Sequence, residues 1–301
     1  RTTMDKSYWF TLADLTIKLV FREDGLNNIS LLPSFAPFAT PHHTDRPLFQ
    51  LIIDDSLQPV PKEQRTRIHT FDTGNGDIIV DRCANGGHQF IIKDIQKKSC
   101  CLLVSNHDFT ECSCALNGNY DMRSYGLNNA LMLAYAFAAC KEHTLLIHAS
   151  LVRQHGYGYA FIAKSGTGKS TQVSMWLRYL PGCDLMNDDN PIIRIIDGTP
   201  YIYGSPWSGK TPCYRNVKAR LGAITQIDRA PQNSVDRLSP IDALVHFLPS
   251  CSSIKWEPAL YDQFMATVTQ VIETTGFYML HCRPDREAAV VCHQAIAKAG
   301  K

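Results

Sequence analysis

Apolar positions recur in two rhythms along this chain of 301 residues, and the rhythm changes near residue 120. Before that point the pattern is that of strands and turns. Leu15 to Phe21 alternates, Leu48 to Ile53 forms a second strand, and Asp77 to Val80 follows the Gly74-Asn75-Gly76 turn. Gln89 to Ile92 and Cys101 to Val104 read as a hairpin pair, and the segment from Leu32 to Pro47, with four prolines, reads as an exposed excursion. A helix is expected from about Tyr125 to Lys141, with Leu127, Leu131, Leu133, Ala134, Phe137 and Ala138 as a broad apolar side. Short apolar strands then alternate with helices. The strands are expected at 145–147, 160–162, 184–186, 192–196, 201–203, 221–227 and 277–280. The helices are expected at 169–180, 240–248, 258–275 and 284–298, three of them opened by proline in the first turn. Ser239 and Asp242 bracket one start as a capping-box variant. The pattern predicts a β-rich domain over 1–120 and an α/β domain over 121–301, α+β overall.

Composition narrows the class. The chain is 45% hydrophobic and 19% charged with net charge +2, which offers no electrostatic case for nucleic acid or a membrane surface. No apolar run approaches the ~20 residues that span a bilayer. The first residues lack the apolar core of a signal peptide, so a cytoplasmic location is expected. The eleven cysteines are scattered, and an odd count without an export signal reads as reduced thiols. Cys100-Cys101 and Cys112-Ser113-Cys114 lack the spacing of a zinc site.

Candidate chemistry centres on Ala163-Lys164-Ser165-Gly166-Thr167-Gly168-Lys169-Ser170-Thr171. This is a Walker A phosphate-binding loop with alanine at its first glycine position. Gly166 and Gly168 let successive backbone N–H groups, from Ser165 through Thr171, curl around a polyphosphate. Lys169 supplies positive charge, Ser170 a hydroxyl for Mg²⁺, and the following helix its dipole. The apolar strand before the loop and the amphipathic helix after it, with Val173, Trp176, Leu177 and Leu180 on one face, are the setting the motif requires. Downstream, the apolar stretch at Leu185-Met186 ends in Asn187-Asp188-Asp189-Asn190. Phosphoryl transfer needs a carboxylate to hold Mg²⁺ and often another to take the nucleophile's proton. Upstream, His148 closes the strand Leu145-Leu146-Ile147.

A strand ending in histidine, a hairpin, a loop of the form S-G-x-G-K-S, a helix and then L-x-x-D-D together resemble HPr kinase/phosphorylase and its relatives. That family shares its nucleotide-binding core with phosphoenolpyruvate carboxykinase. The resemblance implies a P-loop core of that type, with ATP and Mg²⁺ as cofactors. It implies that Lys169 binds phosphate, that Ser170 and one of Asp188 and Asp189 hold Mg²⁺, and that the other aspartate is the general base, with His148 beside it. It also leaves a homo-oligomer open.

The chain departs from the family after the aspartate pair. The E-[IV]-R-G-[LM]-G signature is missing, and Tyr203 to Pro212, followed by Arg215, stands in that region. The P-W-S-G-K stretch looks like a feature of kinase-like relatives of unassigned substrate. Trp207 could stack, and Lys210 and Arg215 could meet an anion, so the three are substrate-contact candidates. These departures point away from HPr as acceptor and away from phosphorylase activity. The reading is an ATP- and Mg²⁺-dependent kinase acting on a hydroxyl, a serine first, of a protein, peptide or small molecule. The alternatives are a non-catalytic nucleotide sensor and, less fitting for so short a chain, a carboxykinase.

Overall fold

A computed structural model describes residues 4–164 and 168–298 and divides the chain after Ala139. The first unit is built on one sheet. Its strands are β1 (Met4–Leu12), β2 (Leu15–Glu23), β3 (Gln50–Ile53), β4 (Arg65–Asp72), β5 (Gly76–Cys83), β6 (His88–Asp94), β7 (Ser99–Ser105) and β8 (Glu111–Leu116). They lie in the order β1-β2-β3-β8-β7-β6-β5-β4, antiparallel except where β3 runs parallel to β2 and to β8. The alternation read over 15–21 is real: Ile17, Leu19 and Phe21 are fully buried. Each such side chain contributes roughly 1.5–3 kcal/mol of burial.

Helix α1 (Tyr120–Ala138) lies on β6, β7 and β8 of this sheet, burying Leu127, Ala130, Leu131, Ala134, Tyr135 and Ala138. It begins five residues before the apolar pattern does, because the Asn119 side chain accepts the Met122 N–H at 3.0 Å and caps a polar first turn. The helix therefore packs with the β-rich unit, and the division falls after Ala139 rather than at residue 120. The segment expected to be exposed from Leu32 to Pro47 is anchored over its first part. Leu32, Phe35 and Phe38 are buried in short 3₁₀ turns, and Phe35 meets Phe10 edge to face at 5.3 Å. The prolines end the chain's ability to pair in a sheet without stopping these apolar side chains from packing.

The second unit comprises strands β9 (Thr144–Leu146), β10 (Ser150–Gln154), β11 (Tyr157–Ile162), β12 (Cys183–Asn187), β13 (Ile192–Ile196), β14 (Thr199–Tyr203), β15 (Lys218–Arg229), β16 (Ser234–Arg237) and β17 (Gly276–Cys282). Helices α2 (Lys169–Tyr179), α3 (Pro240–Phe247), α4 (Pro258–Thr274) and α5 (Arg286–Ile296) complete it. The sheet order is β12-β10-β11-β15-β14-β13-β9, with β17 beside the distal half of β15 and β16 beside β17. Strands β11, β15 and β17 are mutually parallel, in the order given, and the other pairs are antiparallel. The unit is thus mixed α/β.

Val152, Tyr159 and Phe161 pack against Val173 and Trp176 of α2 and against Ala288, Ala289, Cys292 and Ile296 of α5. Trp176 is fully buried, edge-on to Phe161 at 5.5 Å. Leu177, expected on that face, is 38% exposed, because the buried stripe follows Val173 and Trp176 and leaves 177 at its margin. Ser239 caps α3 as expected, accepting the Asp242 N–H at 3.2 Å, whereas α5 starts two residues late, at the Asp285 cap. All eleven cysteines are free thiols, ten of them buried. Among the described residues no helix is long and apolar enough to cross a membrane.

Candidate active site

Four segments of the second unit converge at the carboxyl end of β11. The chain leaves β11 at Ile162, and Ser165, Gly166 and Thr167 lie outside the described residues. Gly168 caps α2 in the left-handed region at φ +86°, where a side chain would be strained and its Cβ would crowd Ile227 at 3.1 Å. Lys169 and Ser170 open the helix, with Thr171 exposed behind them.

Lys169 is only 6% exposed, and among the described residues no carboxylate lies within ion-pair distance of it. Burial pushes its pKa below the usual lysine value, and the fields of Asp189 and Asp188 offset this in part. A buried ammonium with no ion-pair partner is costly, and an anionic ligand would relieve it.

The two aspartates that follow β12 are held differently. Asp188 is 7% exposed and accepts three hydrogen bonds. Ser150 Oγ and Ser170 Oγ donate to its Oδ1 at 2.9 and 3.0 Å, and the Thr211 backbone N–H donates to Oδ2 at 3.1 Å. All three donors are neutral. The Asp189 side chain is 32% exposed, and its Oδ1 lies 2.9 Å from Nδ1 of His148. The histidine turn is fixed from its backbone: His148 N–H donates to Ser250 O at 2.7 Å and Ala149 N–H to Asp189 O at 2.9 Å.

Asn187 ties the aspartates to the loop between β14 and β15. Its Oδ1 accepts the N–H groups of Asp189 and Asn190, both at 2.8 Å, and its Nδ2 donates to Trp207 O at 2.9 Å. Ser205 supports the same carbonyl at 3.1 Å. A Cβ at Gly209 would stand 2.9 Å from Asp188 O, so this loop needs glycine to lie against the aspartate turn.

The structure thus brings Lys169, Ser170, Asp188, Asp189 and His148 into one neighbourhood, and it disposes of the three loop candidates unequally. Trp207 is buried, so the face expected to stack is covered, and its carbonyl is what the site uses. Arg215 is committed to Asp184 at 2.9 Å and to Leu185 O at 2.6 Å, sharing Asp184 with Arg153. Lys210 is exposed, next to Gly209. Ser150, Asn187, Ser205 and Thr211 were missed in the sequence. Only Asn187 carried a local signal: an asparagine two and three residues before backbone N–H groups is Asx-turn chemistry.

No family model matches the chain, and no curated protein is similar to it in sequence. Among solved structures it is similar to the Hpr(Ser) kinase/phosphatase from Coxiella burnetii at 7% identity and a TM-score of 0.30. That match covers 50% of this chain and 86% of the other, and at this score it carries no argument about the site.

Proposed function

We propose that the second unit is a P-loop kinase core that transfers the γ-phosphoryl group of ATP to a hydroxyl. The observation that carries this reading is the unequal treatment of two adjacent aspartates beside a buried lysine that has no carboxylate partner among the described residues. Phosphoryl transfer is catalysed by positioning and by charge placed where charge develops. Lys169 supplies that charge to the β and γ groups from a desolvated position, where it acts more strongly than in water.

Ser170 Oγ and Asp188 Oδ1, 3.0 Å apart, are hard oxygen donors of the kind that suits Mg²⁺, and they would hold it. Bound there, the ion would neutralise charge on the β and γ oxygens. Asp188 is buried and anchored by three hydrogen bonds, which suits a fixed ligand. Asp189 is open to solvent and faces His148, which suits a base. In the step itself the acceptor oxygen bonds to Pγ as the bond from Pγ to the bridging oxygen breaks. ADP leaves, and the acceptor's proton passes to Asp189. Protonated at Nδ1, His148 donates to Asp189 and keeps its carboxylate aimed.

Incubation of the full chain with [γ-³²P]ATP, Mg²⁺ and a cell extract tests this reading. Label should enter an acceptor with wild type, fall by about 10²-fold or more with Asp189→Asn, and fall by about tenfold with His148→Gln. Label that reaches the same acceptor undiminished with Asp189→Asn would remove the base. Lys169-dependent nucleotide binding with no acceptor in any extract would favour the nucleotide sensor.

A further inference from the structure

At the carboxyl ends of β11 and β15 the chain leaves the sheet in opposite directions. From β11 it passes through α2 to β12, on the far side of β10. From β15 it passes through β16, α3 and α4 to β17, on the other edge of β15. In open α/β sheets such a divergence opens a crevice outside the strand ends, where ligands bind. Here the crevice is an open cleft of about 230 Å³ lined by Lys164, Gln226, Ile227, Asp228 and Arg229.

Two features mark it as more than a surface dent. The Gln226 side chain is 7% exposed, and among the described residues its amide has no hydrogen-bond partner. The amide faces the open cleft, where a ligand with a matching donor and acceptor can meet it. Ile227, in the cleft wall, also stands against Gly168, the residue before Lys169, so cleft and phosphate position are contiguous. Clefts for whole drug-sized ligands start at about 300 Å³, so this one is matched to part of a nucleotide rather than all of it.

We propose that the cleft receives the nucleoside end of the nucleoside triphosphate whose phosphates lie at Lys169. This rests on the phosphate-site reading given above. The Gln226 amide meets the donor–acceptor edge of the base, as glutamine does with adenine elsewhere. Ile227 gives the ring an apolar wall. Asp228 accepts from a ribose hydroxyl, and its orientation is set by His281, whose Nδ1 is 3.4 Å from Asp228 Oδ2 and whose Nε2 is 3.3 Å from Asp236 Oδ2. Lys164 and Arg229 frame the opening and suit the α-phosphate.

Calorimetry on the full chain with Mg²⁺·ATP and with Mg²⁺·tripolyphosphate separates the nucleoside contribution from the phosphate one. Wild type should bind ATP about tenfold or more tightly than tripolyphosphate, as two recovered hydrogen bonds would give. Gln226→Met and Asp228→Asn should each reduce that preference several-fold and leave tripolyphosphate affinity within about twofold. Asp228 is exposed, so its variant folds whatever becomes of Gln226→Met. Equal affinity for the two ligands in wild type, or a preference untouched by both variants, would overturn the cleft assignment while the phosphate site stands. Tripolyphosphate binding that survives Lys169→Met would instead sink the phosphate site and the cleft assignment with it.

Discussion

Two buried cations, one in each unit, are held in opposite ways. Arg123 in the first unit is 8% exposed and paired with a carboxylate. Its Nη1 meets Asp55 Oδ2 and Asn27 Oδ1, both at 2.8 Å, and its Nε meets Gly118 O at 2.8 Å. Lys169 in the second unit is as deeply buried, and among the described residues no carboxylate pairs with it. Asp188, close by, takes three neutral donors instead. A fold that only needed to be stable would treat both cations as it treats Arg123. On the proposed reading, the second position is one where charge is kept for a ligand.

The comparison breaks first at Arg123. Arg123→Met leaves Asp55 and Asn27 without their cation and should cost about 3 kcal/mol. A drop in the denaturant midpoint at unchanged slope would read it, and a loss under about 1 kcal/mol would show that the first unit does not depend on the pairing. Next come the neighbouring aspartates. Asp188→Asn turns an acceptor into a donor against at least one of three fixed donors, at about 2 kcal/mol. Asp189→Asn, on a partly exposed side chain, should stay within about 0.5 kcal/mol. Equal losses would erase the distinction on which their separate roles rest.

Asp184 gives the smallest and most pH-sensitive contrast. The hydrogen bond from Arg153, and then that from Arg215, hold its carboxyl below the usual aspartate range despite partial burial. Its stabilisation is therefore present above the unfolded carboxylate pKa and is lost as pH falls through the lower folded value. Because the side chain is 40% exposed, solvent screening limits the contribution to about 1 kcal/mol. Asp184→Asn should lose that amount at pH 7 and soften the acid limb below pH ~4 of an unfolding titration. Identical acid limbs in the two proteins would show that the carboxylate is not linked.

How much of this was legible in the sequence follows from what each residue type reveals locally. Strands such as β2 and β13, and helices with a cap or a first-turn proline, announce themselves through their own neighbours. Strand β4 does not: its exposed, charged Arg-Thr-Arg-Ile-His-Thr-Phe-Asp run sits at a sheet edge and lacks a buried face. Strand β8, Glu-Cys-Ser-Cys-Ala-Leu, hides its inward alternation behind cysteines. Lys169, Ser170 and the aspartate pair were legible because their spacing is local chemistry. Ser150 was not, because its partner Asp188 is 38 residues away and only sheet pairing brings them together. Arg215 and Trp207 were legible as residue types and misread as surroundings, since neither burial nor Asp184 can be inferred from a loop sequence.

The most direct test of the central claim is thermal unfolding of wild type and Lys169→Met, each with and without Mg²⁺·ATP. Removing a charge that burial penalises should raise the stability of the free protein by about 1 kcal/mol. It should also abolish the upward shift that the ligand gives wild type, about 2.7 kcal/mol at a hundred times the dissociation constant. A variant that is destabilised without ligand, as Arg123→Met is expected to be, or that keeps the full ligand shift, would contradict the account.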